Sequence, residues 1–313
     1  MARKSSKSKK LFVIVSLLLI IISAFSIGFY FYFDNKIKEY EKENGIISSK
    51  NDSKEKELKD KKDELESYNQ KLKEFDNINV KIQDTKKEYY SSIKELEDLI
   101  RNGKSDKKIA YLTFDDGPYY NTYKVLDILE KYDVRATFFT TTINGENCYD
   151  KKSENCFKLY PEYLKRGHTI ANHTFTHAIW RGLYKSADSF MEAVINQENH
   201  VKEMTGGYVT NIVRFPGGSS TAKGLKQPII ERLREKGYGW VDWNAQDGDG
   251  GNLTSTDVAW SNFKNTINED IEVVLFHDYS SITTAILPKA IEYLQENGYV
   301  LFPLFYDSVM INK

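Results

Sequence analysis

The chain has 313 residues, 40% hydrophobic and 28% charged, with 44 Lys and Arg against 45 Asp and Glu. A formal charge of −1 excludes a dedicated nucleic-acid binder, which carries a strongly basic domain, and 13% aromatic residues excludes a disordered chain with nothing to bury them in. The length admits roughly two domains, and composition divides unevenly: all Pro, His, Trp and Cys lie at or beyond Pro118.

Residues 1–10 are a basic segment with Arg3, Lys4, Lys7, Lys9 and Lys10, and residues 11–33 an uncharged run interrupted only by Ser16, Ser23, Ser26 and Gly28. At about 1.5 Å per residue that run spans a hydrocarbon core of about 30 Å, and it is longer than the roughly 7–15 apolar residues of a signal peptide. It predicts a single-pass anchor in the cell membrane, with Phe29, Tyr30, Phe31, Tyr32 and Phe33 at the interface. The positive-inside rule then puts the N-terminus in the cytoplasm and everything after Asp34 outside the cell. A signal peptide cleaved around Ser23 to Ser26 is the competing reading.

Residues 34–103 are rich in Lys and Glu, contain no Pro and predict a helical stalk. Leu58, Leu65, Leu72, Ile93 and Ile100 share one heptad position, and Tyr68, Phe75, Ile82, Tyr89 and Leu96 fall on its partner three residues on. This is the repeat of a left-handed coiled coil, with Asn79 and Lys86 as polar exceptions, and it implies a homodimer. A lone helix held by Glu–Lys pairs fits the same charges.

Residues 104–313 alternate strand with helix. Strands are predicted at 109–114, 137–140, 169–171, 212–213, 238–241, 272–276 and 299–302, and helices at 122–132, 157–166, 186–204, 228–236, 256–268 and 282–296. Such alternation predicts an α/β fold with a parallel sheet, in its closed form a (β/α) barrel with its chemistry at the C-terminal strand ends. Cys148 and Cys156 are expected to form a disulfide in an extracellular loop, His168 to be a buried structural imidazole, and His200 to lie on a solvated helix face.

Chemistry does follow the strands. Asp115 and Asp116 come after the first, His173 and His177 after the third, then Arg214-Phe215-Pro216-Gly217-Gly218, Asp242-Trp243 and His277-Asp278. Two imidazoles and one carboxylate form an N,N,O set that leaves coordination positions open, as in catalytic zinc sites, and the second carboxylate is left to act as a base.

Thr113-Phe114-Asp115-Asp116-Gly117-Pro118, the run Gly167 to His177, Arg214 to Gly218 and Leu275-Phe276-His277 stand in the order of four of the five motifs of the polysaccharide deacetylases, carbohydrate esterase family four. The chain resembles that family over about 200 residues, from Lys108 to Asn312. The resemblance implies a distorted (β/α) barrel of seven to eight units that removes acetyl groups from N-acetylated sugars. By position it implies Asp116, His173 and His177 as ligands of one divalent metal, zinc before cobalt, nickel or manganese. It further implies Asp115 as base, His277 as acid, Arg214 as holder of the base, Gly217 N–H as oxyanion donor, and Leu275 and Trp243 as walls of the acetate pocket.

The fourth motif departs from the family pattern. Gln246 and Gly250 replace an Asp and a Trp, and Gly217 in the third motif stands where an aromatic residue is common, so the groove is expected to be wider. Asp249 is the expected partner of His277, with Asp247 and Asp242 as rivals. An outward-facing anchored enzyme of this kind is expected to deacetylate N-acetylglucosamine in peptidoglycan and so to confer lysozyme resistance. Poly-N-acetylglucosamine, chitin oligomers and N-acetylmuramic acid remain open as substrates, as does a non-catalytic glycan-binding scaffold.

Overall fold

The computed structural model describes residues 3–142, 156–208 and 210–305, with the backbone alone for residues 3–10, 68, 71–72 and 74–91. The chain forms two compact units, Met1–Gln70 and Lys71–Lys313. Helix α1 runs from Arg3 to Arg101.

In the first unit the helix is exposed from Leu11 onward, the apolar residues of the 11–33 run included. Among the described residues α1 is the one helix long and apolar enough to cross a membrane, by length and composition. Beyond the run, Lys38–Asp34 and Lys61–Glu57 pair one turn apart, at 2.7 and 3.1 Å. Leu58 and Leu65 face solvent, while the heptad side chains at 68, 72, 75, 79, 82, 86 and 89 lie outside the described residues.

The second unit is α/β: β1 (Lys108–Asp115), α2 (Thr122–Lys131), β2 (Thr137–Thr140), α3 (Leu159–Lys165), β3 (Thr169–Asn172), α4 (Ala187–Thr205), β4 (Ile212–Val213), α5 (Lys226–Glu235), β5 (Gly239–Trp240), β6 (Ala245–Gln246), α6 (Thr256–Thr266), β7 (Ile271–His277), α7 (Ser281–Glu296) and β8 (Tyr299–Leu301). The strands form one parallel sheet in the order β5-β4-β3-β2-β1-β7-β6, with β8 also paired to β1. The expected barrel is therefore a curled sheet with edges at β5 and β6. Strand β6 was not predicted: two residues among Gly, Asp and Asn carry no readable periodicity.

Alternation along the strands sorts the core. Ala110, Leu112 and Phe114 of β1 join Val274 and Phe276 of β7 against Val125, Leu126 and Leu129 of α2 and Leu287, Ala290 and Ile291 of α7. The other face sends Ile109, Tyr111, Phe139, Ala171 and Val273 into the interior. Each fully buried aliphatic side chain contributes about 1.5–3 kcal/mol. Several helices start where a serine can cap: Ser186, Ser255 and Ser280 accept the N–H of Ser189, Val258 and Thr283 at the starts of α4, α6 and α7.

The end of α1 belongs to this interior. Ile93 and Ile100 are buried with Ile109, Tyr111 and Leu304, Leu96 packs beside them, and the Tyr111 hydroxyl donates to Glu97, itself buried. The heptad pattern thus ends as a helix face packed on the barrel interior.

His168 is buried as expected, its Nδ1 accepting the Ala136 N–H at 3.1 Å, and burial pushes its pKa down to about 3. His200 corrects the expectation of a solvated face: it packs at 4.5 Å from the Phe157 ring and 5.4 Å from that of Tyr160. Cys156 is buried and disulfide-bonded, while Cys148 lies outside the described residues.

Candidate active site

The inward column of β1 runs Ile109, Tyr111, Thr113, Asp115, so the alternation that builds the core also delivers a carboxylate to the mouth of the sheet. Directly beside it, His277 ends the inward column of β7, in register with Asp115.

Asp115 is 2% exposed and bonds to the fully buried Arg214, whose Nη1 donates to its Oδ1 at 2.8 Å. Arg214 is fixed on every side. It donates to Thr113 Oγ1 at 2.7 Å and to the carbonyls of Val241 and Asp242 at 3.3 and 3.0 Å, and its guanidinium lies 4.1 Å from the Phe139 ring centre. Burial raises the Asp115 pKa above the ordinary carboxylate value, and the opposing charges of Arg214 and His277 do not cancel it.

Asp116 turns out of the strand at φ 70°, and its N–H donates to the Phe139 carbonyl. Its Oδ1 lies 3.6 Å from Nε2 of both His173 and His177. His173 Nδ1 is 3.0 Å from the Arg214 carbonyl and donates there, which turns the Nε2 lone pair toward Asp116. Burial pushes the His173 pKa down to about 3, leaving the neutral form that ligates metals. The four-residue spacing is a loop product, since Thr174 and His177 adopt φ of 64° and 49°. Asn172 holds that loop, accepting the Thr174 N–H and donating to the Val194 carbonyl, both at 2.9 Å.

The ligand atoms of Asp116, His173 and His177 all lie within 4.8 Å of one another. A tetrahedral ion about 2.1 Å from each ligand separates them by about 3.4 Å, close to the 3.6 Å between Asp116 and each imidazole. The donor set therefore fits a divalent ion.

On the other side of Asp116, His277 Nε2 is 3.9 Å from Oδ2. Of the three candidate carboxylates, Asp249 is the one that reaches His277: its Oδ1 is 2.6 Å from Nδ1 and its Oδ2 accepts the His277 backbone N–H at 2.7 Å. Asp242 accepts from the N–H and hydroxyl of Ser219 at 2.8 and 2.5 Å. Asp247 accepts the Asp249 N–H and shares the Thr283 hydroxyl with Asp249, and burial beside that charge pushes it up to about 7. Burial alone would lower the His277 pKa, but the Asp249 hydrogen bond and charge outweigh it and raise it to about 9.

Trp243 is half-buried, 5.7 Å from the Arg214 guanidinium and bonded through Nε1 to Gln246. Leu275 sits two residues below His277, facing the same side, 6% exposed. The two glycines allow close approach of their neighbours. A Cβ at Gly250 would stand 2.9 Å from Cε1 of His277, and one at Gly217 (φ 73°) 3.1 Å from Thr221 Oγ1 and 3.3 Å from Ile179 Cδ1. Neighbours occupy the space that side chains there would take.

Sequence reasoning missed Thr113 and Phe139 around Arg214, Asn172 behind the His loop and Thr283 behind Asp249. Thr113 was findable, being inward by alternation with Asp115; Thr283 carried no signal.

Residues 102–238 match the family model described as polysaccharide deacetylase. The chain is 30% identical to a peptidoglycan-N-acetylglucosamine deacetylase of Bacillus cereus over 63% of its own length and 69% of that protein's. It is 31% identical to a chitin deacetylase of Colletotrichum lindemuthianum, with 61% and 75% covered. Among solved structures it is similar to the catalytic domain of peptidoglycan N-acetylglucosamine deacetylase from Eubacterium rectale, with a TM-score of 0.59, 32% identity, and 66% and 93% of the two chains covered.

Proposed function

Since the chain belongs to the polysaccharide deacetylase family, hydrolases of amide bonds in N-acetylated glycans, we propose that it releases acetate from N-acetylglucosamine residues of peptidoglycan. We place the reaction outside the cell, with residues 11–33 as membrane anchor and residues 34–103 as helical stalk. Convergence of Asp115, Asp116, His173, His177 and His277 on one mouth carries this assignment, and a scaffold that only bound glycan would have no use for the full set.

A divalent ion on Asp116, His173 and His177, zinc by preference for such donors, supplies Lewis acidity toward the acetamide carbonyl and toward water. Asp115 takes the proton of the attacking water; its raised pKa suits it to hold that proton, and Arg214 keeps the carboxylate aimed. The Gly217 N–H donates to the developing oxyanion, and Leu275 and Trp243 flank the acetyl methyl. His277, kept protonated by Asp249, delivers its proton to the departing amine.

The product amines are cationic at neutral pH, and loss of the acetyl groups is expected to weaken recognition of the wall by lysozyme-like muramidases. Purified peptidoglycan treated with the full chain, then hydrolysed in acid after marking free amines, distinguishes the sugars. Marked glucosamine supports the proposal, and marked muramic acid moves the substrate to the other wall sugar. Similarity to a chitin deacetylase makes chito-oligomers the second substrate to assay.

A further inference from the structure

Of the four tryptophans, Trp180 alone is open to solvent: it is 93% exposed, whereas Trp240 is buried and Trp243 and Trp260 are half-buried. It sits in a short turn, Ile179–Arg181, three residues after His177, so the Cα atoms of the two residues are at most about 11 Å apart. The turn is firmly seated. Ile179 lies against the bare backbone of Gly217, the Tyr184 hydroxyl donates to the Pro216 carbonyl at 2.8 Å, and the Ile179 N–H donates to the His177 carbonyl. The backbone that carries the indole is thus anchored beside Pro216 and Gly217, and the indole itself is left open to solvent.

Across the centre the rim is aromatic too. Tyr279 lies 5.1 Å from the His277 ring and 6.2 Å from Tyr119, which in turn is 4.8 Å from the partly exposed Tyr120. Asp116 stands between the two sides, 3.6 Å from His177 Nε2 and 3.9 Å from His277 Nε2. A sugar whose acetamide reaches this centre must extend its polymer over the rim, and the C–H faces of pyranose rings are the apolar surface an exposed, rigid indole stacks against.

We propose that Trp180 is a subsite for a sugar neighbouring the one deacetylated, binding its pyranose face and so setting a preference for polymeric over monomeric substrate. This rests on the deacetylase function above. The test uses the full chain in detergent with zinc, and two substrates: an N-acetylglucosamine pentamer and a small aryl acetate ester that does not extend to the rim. Trp180→Ala is expected to raise KM for the pentamer about threefold to tenfold, to leave kcat on the pentamer and all parameters on the ester within error, and to be rescued by Trp180→Phe. In the metal-free chain the shift that the pentamer causes in tryptophan emission should be smaller in Trp180→Phe than in the native protein, with Trp243 beside the acetyl group supplying what remains. An unchanged KM, or an equal shift in the two proteins, overturns the subsite and leaves the deacetylase function standing, because the ester is still cleaved. Failure of the native chain on both substrates overturns the function and the subsite with it.

Discussion

Asp115 and His277 are register partners on neighbouring parallel strands, so the group proposed to take a proton and the group proposed to give one are fixed by the same backbone pairing. Asp116, one residue on, leaves the strand with a left-handed backbone and faces His173 and His177 rather than Asp115's partner Arg214. A single strand end thus provides both the proposed base and a proposed metal ligand: both carboxylates come within 3.6 Å of His173 Nε2, but only Asp115 bonds to Arg214 and only Asp116 reaches His177.

The acid is the first prediction. The pKa of His277 is raised to about 9 by Asp249, so the imidazolium proposed as the acid is present at neutral pH and lost as pH rises through that value. Asp249→Asn removes the charge, and the alkaline limb of kcat/KM is expected to move down toward the ordinary imidazole value of about 6.5. A limb that stays in place in the variant would mean that another group delivers the proton.

Metal removal is the second. Dialysis against a chelator is expected to abolish acetate release, with recovery on adding zinc or cobalt. Loss of an outer partner of a metal-binding His costs about 10–100-fold in metal affinity. His177→Ala, which removes a direct ligand, should therefore cost more than Asn172→Ala, which loosens the loop carrying it. Metal titration followed by calorimetry checks the order.

The third concerns the end of α1. A chain starting at Lys104 lacks Ile93, Leu96, Glu97 and Ile100 and uncovers Tyr111 and Leu304. It is expected to melt about 10 °C or more below one starting near residue 86, since each buried aliphatic contributes about 1.5–3 kcal/mol and each kcal/mol is about 2–4 °C in a domain of this size. Equal melting temperatures would show that the helix end adds nothing to the fold.

The fourth is a stability profile remote from the site. Glu272 is buried at the start of β7 and accepts the N–H groups of Asn268 and Glu269, both at 2.7 Å, and burial pushes its pKa up to about 7. A raised carboxylate pKa gives stability that is full below the unfolded value and lost as pH climbs through the folded one. Glu272→Gln keeps an acceptor and removes that loss. The melting temperature of the variant relative to the native chain should rise between about pH 4.5 and 7, and a constant difference would contradict this.

The strand–helix order of the second unit was readable because its strands carry short apolar runs and its helices have clear periodicity; β6 escaped because its two residues lie among Asn, Asp and Gly rather than in an apolar run. The five residues proposed as ligands, base and acid were legible because each stands at the C-terminal end of a strand or in the loop that follows it, where the fold concentrates chemistry. The choice of Asp249 over Asp247 and Asp242 was not, since it depends on how a loop folds back onto α7 through Thr283. Nor was the fate of Ile93 and Ile100: a heptad position states that a residue wants burial, and only the packing shows that the barrel interior satisfies it.

Acetate release from peptidoglycan by the zinc-loaded full chain, measured beside Asp115→Asn, tests the central claim most directly. The variant is expected to bind zinc as the native chain does and to lose about 100-fold to 10,000-fold in kcat, the weight of a general base. Comparable acetate release by the two proteins would contradict the assignment of Asp115 and the proton path built on it.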